Sequence, residues 1–304
     1  MRRPTQQHDR SLLPAAIRAP LALVGRLAPA AAAGISARLF LATRRRRVPQ
    51  RESRTLREAH RSVVPTAHGA VAAWSWGAGP PVLLVHGWEG RASQLSAFVP
   101  ALRQAGLSAV ALDAPGHGAS PGRSSSLVAM ADGLEAAGPR YGPFVAVVAH
   151  SAGAVAATRA LGRGLAVGRA VFLAAGADLP SYARRFAAEL GLGADFAERL
   201  RRRVEARIGV AWEELDPRRM APSLRTPLLA LHDRDDREAP LAPVEELVAR
   251  WPGARLERTQ GLGHNRILRD PGVVDRAVEF VLGGEAAAPT APGVADLRGS
   301  APCG

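Results

Sequence analysis

The chain has 304 residues, 47% of them hydrophobic, enough for a single α/β domain of roughly 220 to 250 residues with one large core. Its formal charge of +13 is concentrated at one end: residues 1–61 hold 14 arginines against Asp9, Glu52 and Glu58, a net of +11, while the remainder holds 26 arginines against 24 acids. A near-neutral main domain argues against a nucleic-acid groove, and the single cysteine, Cys303, offers neither a disulfide framework nor thiolate chemistry.

Residues 1–61 read as a basic, amphipathic N-terminal extension. Its apolar part, 11–43, is broken by Pro14, Pro20, Pro29, Arg18, Arg26 and Arg38, so no run reaches the roughly 18 to 20 residues of a spanning helix. Leu13, Ile17, Leu21 and Val24, then Ile35, Leu39 and Phe40, recur every three or four residues and predict two amphipathic helices. Arg26 splits the apolar core a signal peptide needs, so a cytoplasmic location is expected. The helices are expected to pack on the domain or on a partner subunit. A second expectation is a peripheral contact of residues 1–50 with the inner membrane surface, with Arg44–Arg47 against anionic lipid.

From Ser62 the pattern changes to short strands alternating with helices. Val71–Trp76 alternates, and Pro81–Val85 is a continuous apolar run entering His86 and Gly87. A helix follows over about Ala92–Ala105, a strand at Ser108–Leu112, and a helix at Leu127–Ala137. Next comes the stretch that organises the chain: an apolar run from Phe144, a turn at Ser151, and helix-forming composition from Ala152 to about Arg163. A strand at Ala170–Ala174 precedes a charged, helix-rich insertion at about 177–225. The sheet resumes at Pro227–His232, and a helix (Leu241–Arg250), a strand (Ala254–Thr259) and a helix (Gly272–Leu282) close the domain. This rhythm predicts a mostly parallel central sheet flanked by helices over residues 62–282. The insertion falls where a lid over a ligand crevice belongs, with Tyr182, Phe186, Phe196 and Trp212 as candidate pocket residues. Residues 283–304, rich in Gly, Ala, Pro and Ser, read as a disordered tail.

Strand, turn and helix around Ser151 are the setting of a nucleophile elbow, in which a strained turn lifts a hydroxyl clear of the sheet. The motif runs Ala149, His150, Ser151, Ala152, Gly153, with alanine at the first glycine position of G-x-S-x-G. Gly118–Gly122 matches that pattern literally around Ser120, but no strand enters it and Pro121 and Gly122 follow, so it reads as a loop. A serine nucleophile needs a base, and histidine suits that role. Among eight histidines, His264 lies in a glycine-rich loop after the last strand. His86 and His117 read as structural, and the His150 side chain is expected to point away from Ser151. The orienting acid belongs after Leu228–His232, where Asp233, Asp235, Asp236 and Glu238 compete, with Asp178 as an outside candidate; spacing does not separate Asp235 from Asp236. The amides of Trp88 and Ala152 are the candidate oxyanion donors. His86, Gly87, Trp88 and His150 are candidates for the substrate pocket, and Glu89 and Arg91 are placed for a local ion pair.

Together, Val82–Trp88, Leu112–Ser120, Ala149–Gly153, His232–Pro240 and Gly261–His264 resemble the α/β-hydrolase superfamily over about residues 62–282, and more closely an uncharacterised group of bacterial serine hydrolases with a basic N-terminal extension. The resemblance implies the α/β-hydrolase fold and a triad of Ser151, Asp236 and His264. The choice of Asp236 follows from the superfamily's G-x-x-D-x-x-x-P acid loop, with Asp233 in the glycine place and Pro240 as the proline. A serine nucleophile argues against the dehalogenase and epoxide-hydrolase branches. The expectation is a carboxylesterase working through an acyl-enzyme on a small ester or acyl substrate, with no cofactor and no metal. Acyl transfer, thioester or lactone hydrolysis, and a non-catalytic binding role on the same fold remain the alternatives.

Overall fold

The computed structural model describes residues 13–45 and 47–283, and the backbone of 296–298. In chain order the elements are α1 (Ala15–Leu27), α2 (Pro29–Phe40), α3 (Gln50–Arg57), β1 (His60–Thr66), β2 (Gly69–Trp76), β3 (Pro81–Val85), α4 (Phe98–Gln104) and β4 (Ser108–Leu112). There follow α5 (Leu127–Tyr141), β5 (Phe144–His150), α6 (Ala152–Gly162), β6 (Val167–Leu173), α7 (Leu179–Glu189), α8 (Ala194–Ile208), α9 (Trp212–Leu215) and α10 (Pro217–Met220). The chain closes with β7 (Leu228–Asp233), α11 (Ala242–Arg250), β8 (Arg255–Gln260), α12 (Gly263–Arg266), α13 (Pro271–Val281) and β9 (Asp296–Arg298).

The strands form one sheet in the order β1-β2-β4-β3-β5-β6-β7-β8-β9. β2 runs antiparallel to β1 and β4, and every other neighbouring pair is parallel. β3, β4, β5 and β7 read as nearly unbroken apolar runs because both faces are covered. Along β5, Val147 and Ala149 enter the core beneath α5, α6 and α11, while Ala146 and Val148 enter the core beneath α4 and α13. Each fully buried side chain such as Leu83 or Phe172 contributes about 1.5–3 kcal/mol. Because β4 lies on one side of β3 and β5 on the other, the chain reverses direction across the sheet between β3 and β5. The crevice beyond the carboxyl ends of strands at such a reversal is where open α/β sheets bind ligands.

The described residues divide into two compact units. One joins the helices up to Leu41 with Asp178–Gly209; the other holds Ala42–Ala177 and the chain from Val210. In the first unit α2 packs on α1 and α8, and α7 on α8. The face α2 buries is Ala32, Ala33, Ser36 and Ala37, not the Ile35, Leu39 and Phe40 stripe read from spacing, and Ile35 is 46% exposed. Small residues let helices approach closely. At Gly25 of α1 the same economy is visible, since a Cβ there would lie 2.4 Å from Leu192 Cδ1. Phe186 and Phe196, expected to shape a substrate pocket, are buried within this unit, Phe186 edge-on to Phe40 at 5.8 Å. The expected boundary at 61/62 also differs from the compact units, because Ala42–Arg57 groups with the sheet. The helix expected at Ala92–Ala105 is a 3-10 turn (Ala92–Leu95) followed by α4. The tail expected to be disordered lies outside the described residues except for Gly283 and β9, which pairs with β8.

Candidate active site

Four loops at the carboxyl ends of the parallel strands β3, β5, β7 and β8 build the site. β5 delivers Ser151, which takes φ +52° and ψ −122° before α6 begins at Ala152. A β-carbon in that region is strained, and the surrounding packing must hold it there. Ser151 N–H donates to Leu173 O at 3.0 Å, and its carbonyl accepts from Ala154 N–H at 3.0 Å. Gly153 explains the motif's demand for small residues: a Cβ there would stand 2.4 Å from His86 O and 3.0 Å from Val85 O, so α6 could not approach β3. At the other flank Ala149 is fully buried, so the place of the missing glycine accommodates one methyl group.

β7 and β8 supply the two partners. Ser151 Oγ lies 3.0 Å from His264 Nε2, and His264 Nδ1 lies 2.8 Å from Asp236 Oδ2. The Asp236 side chain is 1% exposed, and its Oδ1 accepts from the amides of Glu238 (2.8 Å) and Ala239 (2.9 Å). Burial pushes the Asp236 carboxyl up, but the hydrogen bond and charge of His264, the Ala239 amide and His232 outweigh it and hold it below the usual carboxylate range. Asp235 and Asp233, left open by spacing, do other work. Asp235 Oδ2 accepts from Gly261 N–H at 3.0 Å, and Asp233 Oδ2 accepts from Leu262 N–H (2.9 Å) and Thr259 Oγ1 (2.7 Å). The acid loop thereby grips two successive amides just ahead of His264, and the aspartate in the superfamily's glycine place is one of the grips. Asp178 lies in the helical unit, paired with Arg184 at 3.4 Å. His264 is the second residue of a short helix, α12, where a plain loop was expected.

β3 supplies the fourth loop. A Cβ on Gly87 would lie 3.0 Å from Ser151 Cβ and 3.1 Å from His150 Nδ1, so the backbone of this loop stands close against Ser151. Among the described residues, neither the Trp88 amide nor the Ala152 amide has an acceptor, and both are free to donate. The two histidines named for the substrate pocket support the site from within. His86 is 1% exposed, donates from Nδ1 to Gly87 O at 2.7 Å and accepts at Nε2 from Ala114 N–H at 3.0 Å. His150 is 3% exposed, donates from Nε2 to His264 O at 3.0 Å, and its ring centre lies 4.7 Å from that of His264. Burial, followed by the neighbouring His264, drives the His150 imidazole down to about 3, and burial with His86 beside it does the same to His117. Both rings are neutral at pH 7.

Sequence reasoning passed over Asp113, which carries the loop beside this one. Its carboxylate accepts from Trp74 Nε1 (2.9 Å), Ala92 N–H (2.7 Å) and Ala119 N–H (2.9 Å). An aspartate at the end of an apolar strand, followed by proline and glycines, was the available signal. Ser120, the literal motif match, is 1% exposed and bonds Asp113 O and the Ala72 amide, so it ties loops together. Glu89 and Arg91 do not pair with each other: Glu89 meets Arg44 at 2.6 Å and Arg91 meets Glu52 at 2.7 Å. No group of three or more His, Cys, Asp or Glu among the described residues is placed to hold a metal ion.

A family model described as the alpha/beta hydrolase family matches residues 82–277. Solved structures with the same fold include a thermophilic esterase from Thermogutta terrifontis, 20% identical, TM-score 0.56, covering 74% of this chain and 98% of its own. Est1E from Butyrivibrio proteoclasticus, solved with ferulic acid bound, is 17% identical with TM-score 0.59, covering 73% and 98%. A bromoperoxidase from Bacillus anthracis is 15% identical with TM-score 0.55, covering 74% and 100%. The curated proteins give no significant match. At these identities the neighbours speak for the fold, and their differing activities leave the substrate open.

Proposed function

The chain belongs to the alpha/beta hydrolase family, and on that footing we propose that it is a serine hydrolase acting on carboxylic esters through an acyl-enzyme. The observation that carries this reading is the unbroken hydrogen-bond chain from Ser151 through His264 to Asp236, at 3.0 and 2.8 Å. Ser151 Oγ attacks the ester carbonyl carbon as its proton passes to His264 Nε2, and Asp236 holds Nδ1–H and balances the imidazolium that forms. The carbonyl oxygen, now an anion, is met by the Trp88 and Ala152 amides. Collapse expels the alcohol, which takes the proton from His264. A water molecule then repeats the sequence on the acyl-enzyme, releasing the acid and restoring Ser151. The backbone donors to Asp236 and its bond to His264 keep the third member ionised throughout the cycle.

Turnover of a panel of 4-nitrophenyl esters, thioesters and lactones, beside covalent labelling by a fluorophosphonate, tests the reading. Ser151→Ala is expected to abolish both. A wild-type chain that neither labels at Ser151 nor turns over any member of the panel would place the protein among non-catalytic binders. Products formed with an added alcohol or amine, in place of free acid, would make it an acyltransferase.

A peripheral membrane contact is a second, separate proposal. It rests on Leu23, Leu27 and Ile35, which are 58%, 77% and 46% exposed on α1 and α2 beside Arg26 and Arg38. No helix among the described residues is long and apolar enough to cross a membrane. Arg44 and Arg45, expected to face lipid, are engaged with Glu89 and with the carbonyls of Ser120 and Gly122. Binding of the full chain to anionic vesicles, weakening with salt and lost in Leu23→Ser/Leu27→Ser, is the expected result; equal sedimentation without vesicles removes the proposal.

A further inference from the structure

Residues 42–45 and 47–57, which follow α2 and run through α3, are tied at several points to the loops around Ser151. Ala42 forms a bridge with Ser124, Thr43 N–H donates to Arg123 O at 2.9 Å, and Thr43 Oγ1 donates to Gly116 O at 2.8 Å. Arg45 donates to the carbonyls of Ser120 and Gly122. Two contacts then bracket the loop after β3. Arg44 Nε meets Glu89 Oε1 at 2.6 Å, and Glu52, 4% exposed, takes Arg91 Nε at 2.7 Å and Ser93 Oγ at 2.9 Å. Thr55 O accepts from Trp76 Nε1 at 2.7 Å and closes the strap against β2.

The residue at the first of those brackets is strained. Glu89 has φ +54°, a left-handed conformation that a residue with a β-carbon adopts only when its surroundings hold it. Its amide donates to Nε2 of His117 at 3.1 Å, an acceptor only because that ring is neutral, with Nδ1–H given to Pro115 O at 2.9 Å. Glu89 directly follows Trp88, and at Gly87, just before Trp88, a Cβ would stand 3.0 Å from Ser151 Cβ. Trp88 thus lies between a glycine packed close to Ser151 and a strained residue, which restrains the direction of its amide, as an oxyanion donor requires before substrate arrives.

We infer that the strap at 42–57 is a positioning element for the oxyanion loop, with Arg44 and Glu52 as positioning residues that act through Glu89 and Arg91 on the Trp88 amide. The inference rests on the serine-hydrolase reading for its catalytic consequence, and on the hydrogen bonds alone for its structural one. Glu52 is itself buried against a half-buried arginine, so its loss risks the fold. Arg44, 46% exposed, can be removed without opening the core.

The test therefore uses the full chain with Arg44→Ala, Arg44→Lys, Glu89→Ala and the Arg44/Glu89 double alanine variant, assayed on 4-nitrophenyl butyrate and on the matching thionoester. Arg44→Ala and Glu89→Ala are expected to lower kcat about tenfold, part of the roughly 10²–10³ that losing one oxyanion donor costs, with KM little changed. Arg44→Lys restores most of the loss, and the double variant is no worse than Glu89→Ala, because the two side chains form one brace. The thionoester, whose sulfur gains little from the two amides, falls less than the oxyester. Amide hydrogen exchange over residues 86–91, measured in Arg44→Ala, rises whether or not any ester is turned over. Unchanged exchange there overturns the inference. An active wild type whose kcat survives both single substitutions overturns it too, and leaves the hydrolase reading standing; an inactive wild type with raised exchange in Arg44→Ala removes only the hydrolase reading.

Discussion

Replacing Gly87 by alanine probes how closely the proposed oxyanion loop approaches Ser151, the proposed nucleophile. Gly87 does not occupy the left-handed region, so the new methyl group costs nothing in backbone conformation, and the whole effect is steric. That methyl would sit 3.0 Å from Ser151 Cβ, 3.1 Å from His150 Nδ1 and 3.3 Å from His150 O. Carbon atoms pack comfortably at about 3.5–4.0 Å, so the loop must retreat by about 0.5–1 Å. His150 cannot yield, since its Nε2 is committed to His264 O. A displacement of about 1 Å at a reacting group costs on the order of 10² in rate, and full loss of one donor about 10²–10³. We expect Gly87→Ala to lower kcat by about 30- to 100-fold, or about 2–3 kcal/mol of transition-state stabilisation. Overpacking of about 1–3 kcal/mol is partly offset by the restricted unfolded chain, so Tm should fall by only a few degrees. The assay is steady-state turnover of 4-nitrophenyl butyrate, normalised to sites titrated with a fluorophosphonate, beside a thermal melt. A kcat within threefold of wild type would falsify the placement of this loop in the reaction; a loss fully explained by unfolded protein would count equally against it.

The control for that substitution is Gly133→Ala. Gly133 lies inside α5 with nothing within 4 Å of an added methyl group, beside an apolar cavity lined by Val71, Val85, Leu112, Met130 and Leu134. Here alanine should stabilise by about 0.5–1 kcal/mol and raise Tm by about 2 °C with turnover intact, and a lower Tm would contradict the packing described. The acid can be separated from its neighbours by amide substitution. Asp236→Asn is expected to cut kcat by about 10⁴, while Asp235→Asn, which only loosens a bond to Gly261, leaves turnover near wild type; the reverse order would transfer the role. Acid sensitivity follows from the buried rings. His117 and His150 titrate near 6.5 unfolded and about 3 folded, so the unfolded chain binds more protons as pH falls below 6.5 and stability drops with it. By pH 5 each should have lost about 2 kcal/mol. Urea melts between pH 7 and 5 should show this decline, and one that is flat would mean that these rings protonate in the folded state.

The order of strands and helices, the elbow at Ser151 and the position of His264 were legible along the chain, because each is signalled locally. A strand covered on both faces must be apolar throughout, and a turn between strand and helix must carry small residues. Family resemblance, by aligning Pro240 with the proline of the acid loop, pointed to Asp236, where spacing stopped at a choice between neighbours. What no local pattern carries is who meets whom across the fold. Asp233 and Asp235 hold the histidine loop 26 to 29 residues away, and His150 turns inward to His264 across 114 residues of chain. Glu52 and Arg44 read as ordinary charges in a basic extension until the sheet brings Arg91 and Glu89 beside them. Apolar spacing on α2 likewise favoured Ile35 and Leu39, whereas close helix packing selected the alanines, because the depth of a groove is a property of two helices together. The pairing of polar groups, like the meeting of two helix faces, depends on topology, and only the folded chain decides it.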